Sequence, residues 1–138
     1  MRALHIIVTL GLMFLCYGCT SKQAGVPLSF YLSDQEPKNG VATVPDGQAA
    51  LVVGQLQFVA SDAAQRKLTI KLFPADASVF EKLTTDNFGK TIVLVQGSNM
   101  LASPRVSEPI PAQAGITFPV STNLDFQSVY RELQRLSK

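Results

Sequence analysis

The sequence predicts an α+β domain, an antiparallel sheet with two helices packed on one face. Three observations lead there. Residues 67–73 alternate, with Leu68, Ile70 and Leu72 on one side and Lys67, Thr69 and Lys71 on the other. That period of two is the signature of a half-buried antiparallel strand. Two other stretches, one opening at Pro74 and one carrying Phe126 to Leu136, place apolar residues at helical spacing instead. The order along the chain, strands, helix, strands, helix, then segregates helices from sheet as α+β folds do.

Each element has a local reason. Residues 28–32, Leu-Ser-Phe-Tyr-Leu, read as a short first strand. Residues 33–47 hold Pro37, Gly40, Pro45 and Gly47 with four charges, so a long exposed loop is expected. Loops of that length in small domains often serve function. Residues 48–60 are strand-like, but Leu51 and Val53 differ in parity from Leu56 and Phe58, which calls for a bulge at Gly54. A turn at 61–65 leads into the alternating strand. Pro74 suits the first helical position, Asp76 sits in the first turn, and Val79, Phe80 and Leu83 line one face. Gly89 ends this helix as a left-handed cap, with Lys90 near the negative end of the dipole. The β-branched run 91–95 and the returning stretch 100–106 flank Gln96-Gly97-Ser98-Asn99 and make a hairpin. Pro104 and Pro109 confine the returning strand to an edge or a kink. Residues 114–118 give one more strand. Thr122 or Asn123 caps the last helix, whose buried stripe is Phe126, Val129, Tyr130, Leu133 and Leu136. No repeat interrupts residues 27–138, which read as a single domain.

The first nineteen residues differ in kind. Arg2 precedes an apolar run, 3–15, too short to span a bilayer, which closes on Cys16-Tyr17-Gly18-Cys19 and turns polar at Thr20-Ser21-Lys22. A cation, a short apolar core and a small residue before the cut make residues 1–18 an export signal. Cys19 after Gly18 resembles the lipobox of bacterial lipoproteins, although Cys16 and Tyr17 stand where a leucine and a small residue are usual. The resemblance implies acylation of the Cys19 thiol, by palmitate or a similar chain, and of the amino terminus freed beside it. Residues 19–26 then form a lipidated tether. Thr20 in place of aspartate implies the outer membrane, on its periplasmic side. No second apolar run approaches spanning length, so the lipid is the expected membrane anchor.

Removing residues 1–18 from 138 leaves 120, enough to bury a core without staples. Cys19 is the one cysteine left and carries lipid, so no disulfide is expected; the sole histidine, His5, goes with the signal. A Ser-His-Asp or Cys-His nucleophile then lacks its imidazole base, and a zinc site drawing on His and Cys lacks ligands. The ten carboxylates are scattered over turns and helix faces rather than paired for hydrolysis. The expectation is no enzyme, no metal, and no cofactor beyond the covalent lipid on Cys19. Without Arg2, eleven Lys and Arg oppose ten Asp and Glu, and no basic stripe is interleaved with aromatics, which argues against nucleic acid.

Leu83-Thr84-Thr85-Asp86-Asn87-Phe88-Gly89-Lys90, an apolar strand, a turn, and Ala102-Ser103-Pro104-Arg105-Val106-Ser107-Glu108-Pro109-Ile110 carry a second resemblance. Together with the closing strand and helix, they resemble the periplasmic head subdomain of SecD, a membrane subunit assisting late steps of protein export. About half of the chain is covered, 67–136, with Ala-Ser-Pro where Ser-Ala-Pro is commoner and no Asp-Gly at the hairpin. Every matched residue also has a structural reason, so the resemblance carries fold further than function. It implies a module that contacts unfolded or partner polypeptide, cut free of the proton-driven bundle that moves the SecD head. A protein partner is therefore expected, with strand addition at 104–110 as one route and Arg105 and Glu108 flanking it. The opposing expectation is that the prolines and charges there protect the edge. An alternative function is a small inhibitor or immunity lipoprotein that binds an enzyme or toxin through loop 33–47.

Overall fold

The alternation at 67–72 is realised in β4 (Lys67–Leu72), where Leu68, Ile70 and Leu72 are buried while Lys67 and Lys71 face solvent. The computed structural model describes residues 25–38 and 43–138. The export signal 1–18, Cys19, most of the tether and residues 39–42 of the long loop lie outside the described residues.

The α+β class and the antiparallel pairing hold, but the strands divide between two sheets instead of filling one. One sheet has the order β2-β1-β5-β6, from β1 (Leu28–Ser33), β2 (Leu51–Val53), β5 (Thr91–Gln96) and β6 (Asn99–Ala102). The other has the order β3-β4-β7, with β3 (Leu56–Asp62) and β7 (Ile116–Pro119) on either side of β4. The parity change at Gly54 marks the point where the chain leaves one sheet for the other, not a bulge. The bulge itself falls inside β3, between Leu56 and Phe58, and turns Gln57 and Phe58 both outward. A glycine and a register shift look alike in sequence, because both exchange which residues face inward.

Helix α1 (Pro74–Asp86) opens at proline as expected, and its buried side chains are Ala77, Phe80 and Thr84. Val79 is 47% exposed, a correction to the expected stripe. The i, i+3, i+7 row through 77, 80 and 84 wins because it aims Phe80 at Phe30 of β1, ring centroids 5.3 Å apart at 66°. Helix α2 (Phe126–Leu136) has Asp125 as its N-cap residue, in place of the expected Thr122 or Asn123, and buries Phe126, Val129, Leu133 and Leu136. Tyr130 packs at the margin of the core. Both helices share one core with the inner faces of both sheets, so the sheets close on each other through the helices. On the opposite face of the four-stranded sheet, Val93 and Val95 form a smaller cluster with Tyr31 and Met100, which makes β5 buried along its whole length.

Arg66 ties the β3–β4 turn to the segment that leads into α2. It adopts φ 51° in the β3–β4 turn, and its Nη2 donates to the carbonyls of Ser121 (3.1 Å) and Leu124 (2.9 Å) just before α2. The guanidinium lies 5.7 Å from the Phe126 ring centroid.

Candidate functional site

The end of α1 is held by contacts reaching across the fold. Asn87 Nδ2 donates back to the Leu83 carbonyl at 2.9 Å, ending the helix with a side-chain bond. Gly89 has φ 83°, the left-handed conformation expected of it, but its N–H does not cap α1. It donates to Val106 O at 2.8 Å, while Val106 N–H donates to Lys90 O at 2.8 Å and Ile92 N–H to Pro104 O at 2.9 Å. Residues 104–106 thus run alongside the start of β5, with a single bridge between Thr91 and Arg105. The expected strand 100–106 is accordingly broken: β6 stops at Ala102, Pro104 kinks the chain, and pairing resumes at Arg105. The clamped turn displays Phe88, which at 69% is the most exposed large apolar side chain among the described residues.

Arg105 and Glu108 are both exposed, but only Arg105 is engaged. Its Nε donates to Gly89 O at 3.2 Å, and its Nη1 forms an ion pair with Glu36 of the long loop. Lys90 makes a parallel pair with Asp34 at 3.2 Å. Glu108 has no ion pair among the described residues. The two regions read from sequence as separate contact candidates, the 104–110 edge and the 33–47 loop, therefore meet at one end of the domain. Pairing with β5 uses the backbone of Pro104 and Val106, and Ser121 N–H covers the Leu101 carbonyl at 2.9 Å on the outer side of β6. Little free edge remains along 101–106 for an added strand.

No family model matches the chain, and no curated protein does. Among solved structures, it matches a crystal structure of SecDF in Super-membrane-facing form, with TM-score 0.61 over 83% of this chain at 12% identity. The fold is SecDF-like. A second SecDF structure, of a membrane component that enhances protein export, aligns over 83% of this chain at 13% identity with TM-score 0.60. The chain spans 19% and 62% of the two SecDF chains. The likeness to SecDF covers 83% of the chain, more than the half of the sequence that carried legible motifs.

The SecDF-like motif residues hold the fold together. Ile110 N–H, at the close of Glu108-Pro109-Ile110, donates to the buried Thr84 hydroxyl at 3.0 Å. One turn earlier on α1, Glu81 Oε1 accepts the amides of Ala112 (2.9 Å) and Gln113 (3.2 Å), capping a 3₁₀ turn at Ala112–Ala114. That turn takes the start of the expected strand 114–118, which begins at Ile116 instead. The motif includes Thr84 but gives it no role of its own, and nothing in the sequence singles out Glu81. A threonine on the row of Ala77 and Phe80 was the available signal, since a buried hydroxyl needs a partner. Phe88 had a signal too, an aromatic off that row in a helix-ending turn. Among the described residues no group of three or more His, Cys, Asp or Glu is placed to hold a metal, and no helix is long and apolar enough to cross a membrane.

Proposed function

We propose that this chain is a non-enzymatic accessory module that binds polypeptide in connection with protein export. It is held by lipid on Cys19 at the periplasmic side of the outer membrane. The observation that carries the reading is the SecDF-like fold over 83% of the chain. It is supported by a mature sequence without histidine or free thiol for nucleophilic chemistry. Phe88 is the contact we favour: an aromatic on a turn held by backbone bonds from both sides loses little entropy when it docks on an apolar segment. Arg105 and Lys90 steady the neighbouring loop through Glu36 and Asp34.

That same pairing favours a second reading, an inhibitor or immunity lipoprotein that uses loop 33–47, because two ion pairs hold the base of the loop. Both pairs are exposed and worth about 0–1 kcal/mol each, which makes this the weaker case.

Binding to an unfolded, reduced polypeptide tests the first reading against catalysis. The purified chain should retain such a polypeptide intact, and Phe88→Ser should weaken retention without changing the melting temperature. Cleavage of the polypeptide, abolished by a single carboxylate substitution, would contradict the non-enzymatic reading. Labelling with palmitate in cells should mark the parent and fail for Cys19→Ser; persistent labelling of that variant, or a dependence on Cys16, would refute the anchor.

A further inference from the structure

A second surface lies at the other end of the domain, where the chain enters from the tether. Gly25 packs so closely on α2 that an added Cβ would stand 2.8 Å from Leu136 Cδ2 and 3.1 Å from Arg135 Cβ. Val26 O accepts from Gln96 Nε2 at 3.0 Å, beside the β5–β6 turn. The strand register places this end opposite the Phe88 turn, since Leu28 pairs with Gln96 here and Ser33 with Thr91 there. Six strand residues separate the two ends by roughly 20 Å.

A shallow cleft joins Leu136 at the end of α2, with Ser137 and Lys138 after it, to Gln55, Gln57 and Phe73. Phe73 is 40% exposed and Phe58 is 53% exposed, directly opposite Lys71 across β3 and β4. On the outer face of the three-stranded sheet, Lys67 follows on the same row as Lys71, with the exposed Asp62 directly across from Lys67, so Lys71 is the cation that lies beside Phe58. Exposed aromatics set among lysines are the composition of a membrane interface, with the ring entering the headgroup layer and the ammonium meeting lipid phosphate. Arg135 also lies here, though its side chain pairs with Glu132 at 3.5 Å.

We propose that Phe58, Phe73 and Lys71 form a face that lies against the phospholipid surface, so that the lipid anchor and the folded domain bind the membrane together and the Phe88 turn points away from it. The inference rests on lipidation of Cys19. From Cys19 to Gly25 the chain reaches at most roughly 20 Å, which keeps this end within a domain's width of the headgroups. Acyl chains supply the affinity; the aromatic and basic face supplies orientation.

The test uses the full lipidated protein reconstituted in vesicles of zwitterionic and anionic phospholipid with lipid-borne quenchers. A fluorescent reporter is attached at position 73 (Phe73→Cys) or at position 88 (Phe88→Cys), both exposed sites outside the core. The expected result is quenching several-fold stronger at 73 than at 88, and reduced at 73 by Lys71→Glu. Equal quenching at the two sites, or stronger quenching at 88, would overturn the proposal. Palmitate labelling of the same samples separates the two claims: unlabelled protein refutes the anchor, whereas labelled protein without preferential quenching at 73 refutes the docking face.

Discussion

Gly89 and Gly54 show why one glycine is required and another is not. Gly89 sits at φ 83° with open space around it, so a side chain there would meet no neighbour and the cost is conformational alone. Gly89→Val should lower stability by about 1–3 kcal/mol in denaturant titration. Gly54 is outside the left-handed region and also has open space where a Cβ would go. Gly54→Ala should be neutral to stabilising, by up to about 1 kcal/mol. Equal effects at the two sites would refute this assignment. Asp125 makes a different residue-scale argument. Its carboxyl is held below the ordinary value of 3.8, chiefly by the Ser128 hydroxyl, with desolvation opposing and the Gln127 and Ser128 amides and Arg131 adding to the effect. A lowered carboxylate pKa contributes stability that is complete above the ordinary value and lost as pH falls through the folded one. The stability gap between the parent and Asp125→Asn should therefore narrow below pH 3.8, read from thermal melts across acid pH.

At the scale of elements, the ion pair between Arg105 and Glu36 joins a loop to the segment beyond β6. Arg105→Glu alone breaks it, and adding Glu36→Arg restores it with reversed sign. Because both groups are exposed, each single reversal should cost only about 0–1 kcal/mol in melts. If Arg105 acts by steadying the loop, the double reversal should recover polypeptide capture; failure to recover would place Arg105 in the contact itself. This pair was out of reach of sequence reading, since 69 residues separate its members and it takes both the β1–β5 pairing and the Thr91–Arg105 bridge to bring them together. Elements with local causes were legible: β4 from its alternation, α1 from Pro74, and the stripe of α2 from its period. What escaped depended on long-range closure. The division into two sheets turns on the segment around Gly54, where a crossing and a bulge leave the same parity change. The cap of α2 moved to Asp125 because Ser121, Arg66 and Leu124 fix the preceding chain. Of the candidate site, Arg105 and Glu108 follow from the proline-marked edge, whereas the signal for Phe88 is its place off the buried row of Ala77, Phe80 and Thr84.

For the whole molecule, the central claim is that a SecDF-like domain presents the Phe88 turn to polypeptide at the end away from its anchor. The SecDF chains are longer than this one, so the activity of the whole SecDF assembly does not transfer with the fold. The surface has to be tested on its own. The most direct measurement is site-specific photocrosslinking in cells, with a photoreactive residue at position 88 and, as control, at the exposed position 79 of α1. The account predicts discrete polypeptide adducts from position 88 and few or none from position 79. Adducts from 79 with none from 88, or none from either, would contradict it.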